Sequence, residues 1–257
     1  MFLPPGFDKV IALEAANLVC EAYRQYGVTP LGNASAPAGY QLLASLNALA
    51  KPESKPEEKE LFGFVVRNLT TGNVFVVFRG TDSTLDLIAD VTIDESEFPG
   101  WGAVHKGFNF VYSQFPDSIR AALNAAPGTP VFVTGHSMGA ALSILATAGV
   151  SDLGRNPVTY AYASPRVARP DFAKRFETKN ISCWRIVNTE DIVNDVPFAT
   201  LDVTGASGGN LLIRLLVNEI PKLDFSHVGV EVPHTAQRGS IVDNHSMDKY
   251  RDTIASA

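Results

Sequence analysis

Gly135-His136-Ser137-Met138-Gly139 sets a serine between two glycines in the G-x-S-x-G pattern. A serine hydroxyl attacks a carbonyl carbon only when a base takes its proton and a carboxylate orients that base, so the motif asks for a histidine and an acid elsewhere. The setting suits this chemistry. PVFVT before the motif reads as an apolar, β-branched strand and AALSILATAGV after it as a small-residue helix, so Ser137 falls on a sharp strand-to-helix turn. The glycines let strand and helix approach while the turn holds the serine in strained backbone geometry. The helix starting at Met138 adds unpaired N–H groups and a positive dipole end, which favour an anionic intermediate.

Five histidines are available. His136 lies inside the turn and is expected to point away from its neighbour; His105 precedes the serine. His227, His234 and His245 follow it, and in α/β-hydrolases the order is serine, then acid, then histidine, the last two on loops after later strands. For the acid, Asp191 directly follows the apolar run ISCWRIVN, on a loop at the same sheet edge. Glu190 and Asp195 compete with it, Asp195 reading as a solvated turn carboxylate.

These groups converge only if the chain builds a sheet whose strand ends meet. In DKVIALEAANLVCEAYRQY, Val10, Leu13, Ala16, Leu18 and Cys20 form an apolar stripe ended by Gly27 and Pro30, which predicts a surface helix packed on a core. KPESKPEEKE (51–60) is a charged loop, and LFGFVVRNLTTGNVFVVFRG reads as a hairpin turning at Thr70-Thr71-Gly72-Asn73 and stopping at Gly80. Helices over about 106–125, 138–150 and 171–178 then alternate with the strands PVFVTG, VTYAYAS and ISCWRIVN. That alternation predicts an α/β architecture over 1–257 as one domain, its mostly parallel sheet covered by helices on both faces. TGASGGN (204–210) is Gly- and Ser-rich, and LLIRLLVNEI after it reads as an apolar helix, either core or a cap bordering a greasy pocket. HVGVEV (227–232) is the expected last strand and NHSMDKYRDTI (244–254) a terminal helix capped near Asp243 or Asn244.

Composition narrows the partners. With 46% hydrophobic residues, the chain has ample material for a core, while 21 basic against 27 acidic residues give a net charge of -6 and no electrostatic footprint for nucleic acid. No apolar run reaches the ~20 residues of a transmembrane helix. The opening MFLPPGFDKV lacks the basic and hydrophobic stretches of a signal peptide, so the chain as given reads as soluble and cytoplasmic, or secreted if a leader has been removed. Cys20 and Cys183 are too few for a disulfide framework or a zinc site and read as two buried thiols, with a single bridge as the alternative. Neither a metal nor an organic cofactor is expected.

Several further stretches carry a resemblance. FRGT (78–81), DLIAD (86–90), VHKGF (104–108), SPRV (164–167), DIVNDVP (191–197) and NHSMDKY (244–250), with GHSMG, resemble the class 3 lipases, the filamentous-fungal triacylglycerol lipase family with bacterial and plant relatives. The likeness runs from the hairpin near Leu61 to the terminal helix and implies an α/β-hydrolase fold with a short lid. It places the nucleophile on Ser137, the acid on Asp191 and the general base on His245, while His227 matches a family position before a strand. The oxyanion donors fall on Thr81, whose hydroxyl can join its N–H, and on Met138. Two departures stand out. Asn194 replaces a common proline after D-I-V, which is expected to loosen that loop, and alanines (163 and 168) flank SPRV where the family tends to glycine.

The same resemblance assigns the lid to 82–104, where Leu85, Leu87 and Ile88 supply apolar side chains and Asp86 and Asp90 share a wet face. The apolar face is expected to cover Ser137 in water and turn outward in transient contact with a lipid surface. Phe98 and Trp101 are its only large aromatics, so a modest interfacial effect is expected. The implied activity is hydrolysis of carboxylic esters, foremost acylglycerols, through an acyl-enzyme on Ser137. Short-chain or feruloyl esters, phospholipids, acyl transfer to another alcohol, and a non-catalytic lipase-like binding module are the alternatives.

Overall fold

A computed structural model describes residues 1, 3–81, 94–196 and 224–257. The first helix, α1 (Lys9–Val28), starts where the Asp8 carboxylate accepts the N–H groups of Val10 and Ile11 at 2.9 and 3.1 Å. Its buried face is Ala12, Ala15, Ala16, Val19 and Ala22, the i, i+3, i+4, i+7 spacing. Of the stripe expected from sequence, Ala16 and Leu18 are buried, whereas Val10 is 75% exposed and Leu13 and Cys20 are only partly covered. Small side chains let the helix backbone lie close to the sheet, so the packing face is mostly alanine.

Strand β1 (Tyr40–Ala48) has no counterpart in the sequence reading, because YQLLASLNA contains no β-branched residue. It is an edge strand paired antiparallel with β2 (Glu60–Asn68), which pairs antiparallel with β3 (Val74–Phe78). Asn68 Oδ1 closes the intervening turn by accepting the N–H groups of Thr70 and Thr71.

The short hairpin β4 (Glu95–Phe98) and β5 (Gly102–His105) comes next. The single helix expected over 106–125 is two, α2 (Lys106–Tyr112) and α3 (Pro116–Asn124). Pro116 has no N–H to continue the first helix and begins the second. Strand β6 (Val131–His136), helix α4 (Met138–Asp152), strand β7 (Val158–Tyr162), helix α5 (Pro170–Thr178) and strand β8 (Ser182–Asn188) follow the expected alternation. The last strand, β9 (Val230–His234), begins three positions later than expected. The terminal helix is split at His245 and Ser246 into α6 (Ile241–Asn244) and α7 (Met247–Ser256).

The sheet order among the described strands is β1-β2-β3-β6-β7-β8-β9, parallel from β3 onward. Both faces are covered. Val74, Val76 and Phe78 of β3 join a core with Phe108, Phe115, Leu142 and Phe172, whereas Phe75 and Val77 face Ala16, Val19, Tyr162 and Tyr250. Parallel strands all end at one edge, so the residues after β3, β6, β7 and β8 are neighbours there; Phe78 pairs with Gly135, and His136 with Tyr162. This is the α/β-hydrolase fold.

Within the stretch assigned to the lid, 82–93, including Leu85, Leu87 and Ile88, lies outside the described residues, as does LLIRLLVNEI. The remainder, 94–104, holds the β4–β5 hairpin. Its aromatics are core residues: Phe98 and Trp101 are 6% and 3% exposed and pack on Phe172, and Trp101 Nε1 donates to Asp152 at 2.8 Å. Cys20 and Cys183 are both unbridged, and burial pushes each thiol up to about 12. No helix among the described residues is long and apolar enough to cross a membrane.

Candidate active site

Strand β6 delivers Ser137 at φ 59°, ψ -127°, a region that residues with a side chain seldom occupy. Close packing enforces it. A Cβ on Gly135 would lie 2.1 Å from the Gly139 carbonyl oxygen, and one on Gly139 would lie 2.4 Å from that of Arg79, so only glycine fits at either position. Ser137 N–H donates to the Tyr162 carbonyl at 3.0 Å and its own carbonyl accepts Ala140 N–H at 2.9 Å. Its hydroxyl makes no hydrogen bond among the described residues and stands at the N-terminus of α4, where first-turn N–H groups lack helical partners.

Asp191 and His245 meet across 54 residues of chain: the carboxylate Oδ2 accepts His245 Nδ1–H at 2.8 Å. Both are buried, 2% and 4% exposed. Two further donors hold the carboxylate, Tyr250 O–H on Oδ2 at 2.8 Å and Val193 N–H on Oδ1 at 3.0 Å. With Nδ1–H committed to the acid, the neutral ring presents Nε2 as an acceptor, and Nε2 is buried with no partner among the described residues. His136, next to Ser137, lies tilted against the His245 ring with centroids 4.6 Å apart and donates Nε2–H to the His245 carbonyl at 2.8 Å. That bond fixes the His136 tautomer, so its Nδ1 accepts from Tyr23 O–H at 2.8 Å. Burial, then the neighbouring His245, holds the His136 imidazole well below the usual histidine range, consistent with a neutral ring.

The other candidates lie elsewhere. His105 caps α2 by accepting Phe108 N–H at 3.4 Å. His227 is driven down to about 3, first by burial and then by Arg185 and Arg166. His234, held at about 4 chiefly by burial, packs edge-on against Tyr250 with ring centroids 5.2 Å apart. Asp195 is a solvated carboxylate paired with Arg166 at 3.4 Å, and Glu190 accepts from Gln237 at 3.1 Å. Thr81 lines a 260 Å³ recess with Tyr23, His136 and His245, and Met138 is the first residue of α4.

Sequence reasoning missed the polar scaffold of this edge. Asn188 Nδ2 donates to the carbonyls of Ala236 and Asn244 at 3.0 and 3.1 Å, and Asn244 Nδ2 donates to that of Glu190 at 3.0 Å, tying the acid loop to the histidine loop. Asn194, expected to loosen its loop, tightens it by donating to the carbonyls of Asp191 and Asn188 at 2.9 and 3.1 Å. An amide side chain supplies two donors that proline lacks. Tyr250 was legible in principle, since a phenol five residues after His245 at the head of a helix can reach the acid that orients it.

Residues 75–201 match the family described as Lipase (class 3). A lipase of Rhizopus niveus is 35% identical over 148 residues, 52% of this chain and 37% of that relative, so the chain spans well under half of its length. Phospholipase A1-Igamma1, chloroplastic, of Arabidopsis thaliana is 32% identical over 117 residues, 42% of this chain and 22% of the relative. Among solved structures, lipase II from Rhizopus niveus superposes with a TM-score of 0.59 at 25% identity, covering 74% of this chain and 76% of its own.

Proposed function

We propose, from the match of residues 75–201 to the class 3 lipases, that the chain is a serine hydrolase of carboxylic esters. The observation that carries this reading is the buried Asp191–His245 pair at 2.8 Å, whose Nε2 has no hydrogen-bond partner among the described residues, together with Ser137 held in strained geometry at the head of α4 with an unengaged hydroxyl. In the proposed reaction His245 Nε2 takes the Ser137 proton as Oγ attacks the ester carbonyl. The N–H groups of Thr81 and Met138 receive the oxyanion, and the imidazolium, steadied by Asp191, protonates the departing alcohol. Water, deprotonated by the same nitrogen, releases the acid from Ser137.

The substrate class proposed is the acyl ester of a lipid, foremost an acylglycerol, in keeping with the Rhizopus relative. A phospholipid is the second reading, favoured by the similarity to the Arabidopsis phospholipase A1. Leu85, Leu87 and Ile88 are proposed, on their sequence pattern, to touch the lipid surface transiently. A p-nitrophenyl ester series from acetate to palmitate, with phosphatidylcholine vesicles in a parallel arm, tests the assignment on the parent and on Ser137→Ala. Turnover by the parent and a loss of several powers of ten in the variant is expected; equal rates would refute it. Activity on tributyrin followed through its solubility limit checks the surface contact, for which a step at droplet formation is expected.

A further inference from the structure

The mechanism leaves unused a buried arginine just before the Thr81 peptide. Arg79, between β3 and Thr81, is 1% exposed. Its Nε donates to the Leu61 carbonyl at 2.7 Å and its Nη2 pairs with Glu60 at 2.9 Å. Its Nη1 donates to the carbonyl of Gly80 at 2.5 Å. The guanidinium plane lies 3.5 Å from the ring centroid of Tyr26 and 4.7 Å from that of Phe62. One turn earlier on α1, the Tyr23 hydroxyl accepts Gly80 N–H at 2.9 Å while donating to His136 Nδ1. Gly80 is thus gripped at both polar groups, and it cannot carry a side chain there: a Cβ would lie 2.8 Å from that of Ser137 and 2.5 Å from the Tyr23 oxygen.

The Gly80 carbonyl belongs to the same peptide group as the Thr81 N–H. In a trans peptide the two bonds point in opposite directions, so a donor fixed on the oxygen fixes where the N–H is aimed. A cationic donor also draws electron density from the amide, making its N–H a stronger donor, by about a tenth to a third. Because Glu60 balances the guanidinium charge, the effect runs through this one peptide and not through a long-range field. We infer that Arg79 and Tyr23 are positioning residues that clamp Gly80, and so aim and polarise the Thr81 N–H toward the charge developing on the carbonyl oxygen as Ser137 attacks. This rests on the hydrolase reading proposed above.

The test compares p-nitrophenyl butyrate with its thiono analogue, in which sulfur replaces the carbonyl oxygen. Sulfur is larger and a poorer hydrogen-bond acceptor, so its developing charge draws less on aimed N–H donors, while both substrates need the same serine and histidine. Arg79→Gln is expected to lower kcat for the oxygen ester by about 10- to 100-fold, somewhat short of deleting a donor outright, with KM within about twofold. The thiono ester should lose less than about threefold. Tyr23→Phe, which keeps the ring and hence the packing of α1, should shift the oxygen-to-sulfur rate ratio in the same direction by about 3- to 10-fold. Should Arg79→Gln not fold, Tyr23→Phe decides alone. An unchanged ratio in Tyr23→Phe, or equal losses on both substrates in the variants, overturns the clamp while leaving a Ser137-dependent parent intact. A parent without Ser137-dependent turnover overturns the hydrolase reading and the clamp together.

Discussion

At almost any position, glycine in place of alanine destabilises a protein; at Ser137 the order should invert. The residue sits at φ 59°, ψ -127°, which costs a residue with a Cβ about 1–3 kcal/mol and glycine nothing. Against that stands the greater freedom of glycine in the unfolded chain, about 0.5–1 kcal/mol, and the loss of one buried methyl group, about 0.8 kcal/mol. At the middle of its range, about 2 kcal/mol, the strain exceeds the two opposing terms, together about 1.5 kcal/mol, leaving Ser137→Gly more stable than Ser137→Ala by about 0.5 kcal/mol, or about 1–2 °C in Tm for a chain of this size. Ser137→Ala itself should closely match the parent, because the hydroxyl it removes makes no hydrogen bond among the described residues. Calorimetric scans and urea titrations of the three proteins at pH 7.5 read the order directly. Ser137→Gly melting below Ser137→Ala would show that the backbone strain is not real.

Three further outcomes follow from the same geometry. Asp191→Asn keeps the shape of the site but removes the charge that orients His245, and kcat on p-nitrophenyl butyrate should fall by about 10⁴ with little change in KM. Tyr250→Phe removes one of three donors to Asp191 and strips Asn188 N–H of an acceptor 3.0 Å away; urea unfolding should register a loss of about 2–4 kcal/mol and kcat a fall of about tenfold. Acidification should destabilise the fold before any carboxylate titrates. His227 and His234 are held neutral down to about 3 and about 4, and His136 is shifted the same way, all chiefly by burial. Below about pH 6.5 the unfolded chain takes up protons that the fold refuses, so stability is complete above that pH. It declines toward the folded values by at most about 1.4 kcal/mol per pH unit for each histidine. Unfolding midpoints between pH 7.5 and 5 measure the slope, and His234→Gln should flatten it; a flat profile in the parent would contradict the burial argument.

What could be read along the chain was local. The hairpin of β2 and β3, the alternation from β6 to β8 and the glycine-flanked turn each announce themselves within a dozen residues, because strand period, turn residues and helix composition are neighbours in sequence. Where two signals compete, tertiary context decided. β1 is a strand without β-branched residues because β2 offers it an edge, and α1 seats mainly alanines with Leu18 and Val19 on the sheet while Val10 stays in solvent. Phe98 and Trp101, which the family resemblance assigned to the lid, pack on Phe172. The staples through Asn188, Asn194 and Asn244 left no mark, since an asparagine in a loop reads as a turn residue until its partner arrives.

By itself the sequence determined which chemical groups are present and the strained turn that lifts Ser137 from the end of β6, since both depend on residue type and short-range sterics. Only the tertiary structure decided which of three downstream histidines meets which of three nearby carboxylates. It also set the tautomers of His136 and His245, and it brought Tyr23 and Arg79 onto opposite sides of Gly80. Hydrogen-bond direction and burial act through space, and no spacing along the chain encodes them.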